Sequence, residues 1–205
     1  MMKIYEMKKA PNPRRVRMFM AEKGILDQAE FVEMDLQQGE NLTPEFAQKN
    51  PMKKVPVLEL DDGTCISETM AICRYFEELH PQPPLLGKDA LDKAKVEQWL
   101  RWLELYFFMP TGMCFQHTSG VFKDRMTPIP EWGEECRKGV EKFMHFLNKH
   151  LEGREFIVGD HFTAADISAL CTVDFNKVNK IGIQADQTNL QAWYERISQR
   201  ESAQV

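Results

Sequence analysis

The chain has no Cys-x-x-Cys. Its five cysteines, Cys65, Cys73, Cys114, Cys136 and Cys171, are scattered and odd in number, which excludes a dithiol redox motif and a fully paired disulfide framework. No His/Cys group has zinc spacing, so no metal is expected. Reduced, buried thiols in a cytoplasmic protein are the plain reading. No apolar run reaches the length of a membrane span, and Met1–Glu6 lacks the apolar core of a secretory signal, so no membrane partner is expected. An excess of positive charge is missing as well: 26 Lys and Arg stand against 31 Asp and Glu, a net charge of −5, which leaves no electrostatic footprint for nucleic acid or an anionic surface. Internal repeats and low-complexity segments are also missing. What remains is 205 residues, 43% hydrophobic and 28% charged, the composition of a globular protein large enough for one sizeable domain or two small ones.

The first 80 residues read as alternating elements. Residues 2–7 alternate as a strand, with Ile4 and Glu6 on one side and Lys3, Tyr5 and Met7 on the other. Asn12-Pro13 reads as a helix cap followed by proline at the first helical position, with Val16, Phe19, Met20 and Lys23 at helical spacing and Gly24 as the stop. Phe31–Met34 is a second strand, and Thr43-Pro44 starts a second helix. Val57–Leu60 and Thr64–Ile66 flank the turn Asp61-Asp62-Gly63, and a third helix runs from about Thr69 to Leu79, burying Ile72 and Phe76. Pro81-Gln82-Pro83-Pro84 marks a boundary. Beyond it the pattern is helical, with one apolar stripe through Val96, Trp99, Leu100, Leu103 and Phe107 and another through Val140, Phe143, Met144 and Leu147. The expected boundaries are an α/β domain over 1–80 and an all-helical domain over 88–205.

The stretch Asn50-Pro51-Met52-Lys53-Lys54-Val55-Pro56-Val57-Leu58, followed by Ser67-Glu68-Thr69-Met70-Ala71-Ile72, carries the chemistry. A cis Val55–Pro56 bond would turn the N–H and C=O of Val55 outward to pair like an added sheet edge. Glu68 could take an ammonium group. The Thr69 hydroxyl and the free N–H groups of the helix start could take a carboxylate. Such a site suits a small, peptide-like ligand that is zwitterionic at one end. Acidic and hydroxyl residues also belong at any helix start, so capping alone would account for Glu68 and Thr69.

Asn-Pro-x-x-Lys-Val-Pro-x-Leu followed by Glu-Thr-x-Ala-Ile resembles the glutathione site of the cytosolic glutathione S-transferase superfamily. Ala10-Pro11-Asn12-Pro13-Arg14-Arg15-Val16-Arg17 is similar to that family's first helix and preceding loop, Gly159–Ile167 to its late capping motif, and Asn189–Trp193 to its terminal helix. The resemblance runs in family order along essentially the whole chain. It implies an N-terminal thioredoxin-like domain that binds glutathione, an all-α C-terminal domain that shapes the second-substrate pocket, and a homodimer in which Met70, Cys73 and Arg74 could meet the partner.

Glutathione acts as a nucleophile only as its thiolate, so the site must stabilise a sulfur anion. Ala10 stands where serine-type members carry their hydroxyl, and it can donate nothing. Asn12 resembles the asparagine found near the thiol in a bacterial and fungal subgroup; its amide could donate to sulfur, or it could simply cap the helix. Lys54 and Asn41 correspond to contacts with the glycyl end of glutathione, although Lys54 could equally be a solvated surface residue. Thr163 and Asp166 form Thr-x-x-Asp, a reciprocal cap. Ala10, Tyr106, Met109, Met113 and His117 would border the second-substrate pocket. The expected activity is attack by glutathione thiolate on a carbon electrophile, a hydroperoxide or a glutathione mixed disulfide. Loss of the hydroxyl at position 10 tilts the reading toward the latter two. The rival is a non-catalytic binding or regulatory module on the same fold.

Overall fold

A computed structural model describes all 205 residues, which divide into two compact units: Met1–Leu85 with Glu201–Val205, and Leu86–Arg200. The last five residues, which the sequence pattern placed with the helices, therefore belong to the first unit. Their short 3-10 turn, Glu201–Gln204, lies against the first helix. There Arg14 donates to the Ala203 carbonyl at 3.0 Å, and the Ser202 hydroxyl bonds the Glu22 carboxylate.

The first unit runs β1 (Met2–Glu6), α1 (Pro11–Glu22), β2 (Ala29–Glu33), α2 (Pro44–Lys49), β3 (Val57–Glu59), β4 (Cys65–Ser67) and α3 (Thr69–Leu79). The sheet order is β2-β1-β3-β4; β2 is parallel to β1, and β3 and β4 are antiparallel to their neighbours. This is the thioredoxin-like arrangement expected from the element order. Period-two alternation divides the core. Ile4 and Leu58 pair in register and are fully buried on one face, where Glu6 meets Arg17 of α1. Tyr5 and Val57 pair on the other face, where α2 places Phe46.

The buried Glu6–Arg17 pair sets the approach to α1. Burial pushes the Glu6 carboxyl above its ordinary range, and the Arg17 guanidinium opposes that shift. Arg17 also donates to the Lys8 carbonyl at 2.6 Å, while the Lys8 N–H donates to Glu33 at 2.9 Å. The loop before α1 is thereby anchored to both β1 and β2.

The start of α1 differs from the sequence reading. Pro11 takes the first helical position and Ala10 is the N-cap, with extended backbone and no side-chain bond. Asn12 lies inside the first turn and caps nothing. Proline is favoured at the first helical position, and Pro11 fills it as readily as Pro13 would, so the helix starts one proline earlier. At the other end the Gly24 N–H donates to Ala21 and the Ile25 N–H to Met20, both at 3.0 Å. Gly24 has a φ of 67°. This is a Schellman stop, with Ile25 and Met20 both buried beneath it.

Helices α1 and α3 are joined at both ends. At their N-termini the Thr69 hydroxyl donates to the Asn12 carbonyl at 3.4 Å. At their C-termini the Lys23 ammonium, its side chain wholly buried, meets the His80 carbonyl at 2.7 Å, the Pro83 carbonyl at 2.8 Å and Glu77 at 2.7 Å. The two carbonyls accept hydrogen bonds from the ammonium and the Glu77 carboxylate balances its charge, the compensation that a buried cation requires. The two helices consequently run parallel, with their positive ends side by side.

The second unit comprises α4 (Ala90–Leu103), α5 (Met109–Thr118), α6 (Pro130–His150), α7 (Ala164–Phe175) and α8 (Thr188–Ser198). The two apolar stripes read from sequence are buried, and Phe107 stacks on Phe143 at 5.0 Å. The helix that carries the first stripe does not stop at Phe107: α4 passes through a wide π turn, Glu104–Phe108, directly into α5. Pro110 explains the turn. It has no N–H for the Tyr106 carbonyl and would clash with it, so the helix widens and the Met109 N–H reaches back to Glu104.

Thr163 and Asp166 form the expected capping box at the start of α7. Asp166 does more than cap. Fully buried, it also accepts the Ile157 N–H at 3.0 Å and the Trp193 indole N–H at 3.0 Å, tying α7 to the preceding loop and to α8. Burial nevertheless raises its pKa to about 6. A folded-state value above the ordinary carboxylic value means that the folded protein binds this proton more tightly than the unfolded chain. The Asp166 contribution should therefore strengthen as pH falls through 6 toward 4, and be flat above 7. Measured by urea unfolding, the stability of the parent minus that of Asp166→Asn should rise by about 2–3 kcal/mol between pH 7 and pH 4. A difference independent of pH would mean that the carboxyl titrates normally.

Candidate functional site

The candidate residues of the first unit collect around the paired N-termini of α1 and α3. Asn12 is half-buried, and its side-chain oxygen accepts from the Arg15 guanidinium one turn on. Because that oxygen is held by a donor, the amide nitrogen is the group left to face a ligand. Arg15 itself escaped the sequence reading. Its spacing of three from Asn12 was the available signal, since such residues are neighbours on a helix.

Glu68 is exposed and sits at φ 75° as the N-cap of α3, without a side-chain cap bond. A non-glycine residue at positive φ is strained by its Cβ. Capping therefore does not account for the acidic side chain here. Thr69 is buried, with its hydroxyl on Asn12. Cys73 is 2% exposed and faces the interior, which removes it from the proposed partner surface; Arg74 remains exposed.

Val55 lies two residues ahead of the first paired residue of β3, with its side chain buried and its bond to Pro56 cis. The segment leading to it is braced from within. The Asn50 amide donates to the Lys54 carbonyl at 2.9 Å, and the Asn41 amide donates to the Lys53 carbonyl at 2.7 Å. Asn41 is 7% exposed and holds Lys53, which is at φ 55°. The Lys54 side chain points to solvent. Beneath the sheet, Glu59 joins the Tyr5 hydroxyl at 2.6 Å to Lys49 at 2.7 Å, fixing α2 against β1 and β3.

The remaining candidates belong to the second unit. Tyr106 and Met109 are exposed, at 59% and 48%, beside the π turn. Met113 and His117 follow at helical spacing and are half-buried. His117 Nδ1 accepts the Ile129 N–H at 2.9 Å, so in the neutral ring the proton sits on Nε2. Its first job is thus to hold the segment that starts α6. Gly133 on α6 approaches so closely that a Cβ there would lie 2.5 Å from Thr118. Phe107 is core, and Phe115 packs edge-on against Phe122 and Phe175. No group of three or more His, Cys, Asp or Glu side chains is placed to hold a metal ion. No helix is long and apolar enough to cross a membrane.

Comparison with known proteins bears on the family and the fold. The family model for the glutathione S-transferase N-terminal domain matches residues 10–79, and that for the C-terminal domain matches residues 122–201. Glutathione S-transferase 2 of Saccharomyces cerevisiae is 37% identical over 201 residues, spanning 97% of this chain and 86% of that protein. The crystal structure of Gtt2 from Saccharomyces cerevisiae superposes with a TM-score of 0.94 at 36% identity, covering 98% of both chains. Elongation factor 1-gamma-A of Xenopus laevis is 32% identical over 133 residues, 65% of this chain but 29% of that longer protein. With both domains of the family present in order, and a relative this similar along nearly its whole length, the chain belongs to the glutathione S-transferase family.

Proposed function

We propose that the protein is a glutathione transferase whose first unit binds glutathione and activates its thiol without a hydroxyl or thiol of its own. The observation that carries this reading is the Asn12–Arg15 contact, which leaves the Asn12 amide nitrogen free at the positive end of α1. A thiolate there would receive one N–H bond and the field of the helix terminus. Around it, the main chain of Val55 would pair with the cysteinyl residue, Glu68 would take the γ-glutamyl ammonium, and the start of α3 would take the adjoining carboxylate. A carboxylate is a stronger acceptor than a peptide carbonyl, so it would draw the Thr69 proton away from Asn12. Lys54 would meet the glycyl carboxylate. Asn41 would act on that contact through Lys53.

The exposed Tyr106 and Met109, with the half-buried Met113 and His117, would offer an apolar surface with a polar end for a second substrate. Activation by one amide and a helix end is weaker than by a hydroxyl network. It therefore suits a good leaving group: the hydroperoxide O–O bond or the S–S bond of a glutathione mixed disulfide more than an unreactive carbon electrophile. A homodimer forms part of the same reading.

Ala10 and the likeness to Elongation factor 1-gamma-A favour one alternative, a binding module with no turnover. Retention on immobilised glutathione, followed by assays with an aryl halide, a hydroperoxide and a mixed disulfide, separates the two. Retention with turnover of at least one substrate is expected, from a species that sediments as a dimer at micromolar concentration. Retention with three inactive assays would establish the binding module.

Asn12→Asp should keep the acceptor for Arg15 while removing the donor and adding a negative charge. Folding stability should be held or raised. The pKa of bound glutathione, read from thiolate absorbance, should climb by about one unit or more, and turnover should fall about tenfold, equivalent to about 1.4 kcal/mol. An unmoved titration curve would release Asn12 from this role.

Glu68→Gly should show opposite effects on folding and binding. Relief of the strain at φ 75° is worth on the order of 1–3 kcal/mol, against about 0.5–1 kcal/mol for the freedom glycine adds to the unfolded chain. The melting temperature should therefore rise slightly, while glutathione affinity drops by about 1.5–3 kcal/mol. Undiminished affinity would place the γ-glutamyl end elsewhere.

A further inference from the structure

Three buried polar side-chain atoms in the helical unit have no protein partner and belong to one local network: Thr111 Oγ1, Asn176 Nδ2 and Asn179 Oδ1. Thr111 and Asn176 are completely buried, and Asn179 is 4% exposed. The Asn179 amide nitrogen donates to the Thr111 main-chain carbonyl at 3.0 Å and to Asn176 Oδ1 at 3.4 Å. Those two bonds fix how both amides point. A main-chain carbonyl only accepts, so Asn179 must present its nitrogen to it, which leaves its oxygen over. Asn176 must present its oxygen to that nitrogen, which leaves its own nitrogen over.

Thr111 departs from two other threonines on these helices, the exposed Thr118 and the fully buried Thr172. Thr118 and Thr172 each turn the hydroxyl back to the carbonyl four residues earlier, to Cys114 and Ser168, both at 2.7 Å. That choice is open to any helical threonine. The Thr111 hydroxyl makes no such bond.

The unmet groups are one donor, one acceptor, and one hydroxyl that can be either. A cation would be repelled by the Asn176 N–H and an anion by the Asn179 oxygen. An apolar occupant would leave all three unpaired. A single water molecule matches them: it accepts from Asn176, donates to Asn179, and exchanges its remaining proton or lone pair with Thr111. Three bonds is the usual number for a buried water. We propose that Thr111 Oγ1, Asn176 Nδ2 and Asn179 Oδ1 form a binding site for one permanently ordered water. This water bridges α5 to the 3-10 turn Asn176–Asn179 that follows α7. Arg137 of α6 donates to the Asn179 carbonyl at 2.8 Å, so three helices meet at the junction. The helix held in this way is the one that carries Met109, Met113 and His117.

A dry site and a hydrated site respond to the same substitution with opposite signs. Thr111→Val keeps the shape and removes the hydroxyl. If water is bound, the melting temperature should fall by about 3–6 °C, and Thr111→Ser should stay near the parent. If the site is dry, losing an unpaired hydroxyl is favourable, and Thr111→Val would melt at or above the parent temperature, which would overturn the proposal. A crystal structure of the unmodified protein at atomic resolution decides independently. One fully occupied oxygen within hydrogen-bond range of all three atoms is expected. Direct pairing among the three side chains, or no density between them, would equally overturn it.

Discussion

The candidate site depends on one constraint: α1 and α3 are held side by side and parallel, from both ends. Lys23 is the stronger fastening. Its ammonium is removed from water and is stable there because the carbonyls of His80 and Pro83 accept its hydrogen bonds and Glu77 balances its charge. Pulling α3 away from Lys23 would strip these partners together and leave its charge buried without compensation, which opposes separation of the helix ends. With the C-termini locked, the N-termini also come together, and the light Thr69–Asn12 bond suffices to align them. Two helix dipoles then direct their positive ends at one region, which favours an anion there before any side chain is considered.

On the proposed reading, the absence of a hydroxyl at position 10 does not by itself remove the means of stabilising a thiolate. A thiolate needs donors and positive potential, and neither has to come from residue 10. The Glu6–Arg17 pair fixes the approach to α1, Pro11 fixes its first turn, and Arg15 fixes the orientation of the Asn12 amide. The strain at Glu68 belongs to the same arrangement. A side chain at positive φ that makes no cap is held there by the turn between β4 and α3, at a cost that folding alone does not explain.

The helical unit solves a parallel problem with an acid instead of a base. Asp166 is buried beneath the start of α7, and its pKa is high because burial outweighs the four donors around it. Those donors come from the preceding loop, from Thr163 and from Trp193 of α8, so the carboxylate organises a region that apolar contacts alone would leave without register. At the far end of α7 the network of Asn176, Asn179 and Thr111 supplies the corresponding polar fastening to α5.

Local chemistry was legible in the chain itself. Thr43 before Pro44, Gly24 after α1, the turn at Asp61-Asp62-Gly63, the run Thr69–Leu79 and the Thr163–Asp166 box each act through atoms a few residues apart, so short-range pattern suffices. The family motifs were legible for the same reason. What the tertiary structure alone decided were the contacts between residues distant in sequence, and choices between equal local options. Pro11 and Pro13 are both acceptable helix starts, and the anchoring of the preceding loop settles which is used. Lys23 reads as an ordinary helix-end lysine until His80 and Pro83 are brought to it. Asp166 reads as a cap until Trp193 arrives, and nothing in the sequence pattern singles out Thr111, whose carbonyl Asn179 takes only in the folded chain. Sequence determines which groups must find partners; only folding brings the partners within hydrogen-bond distance.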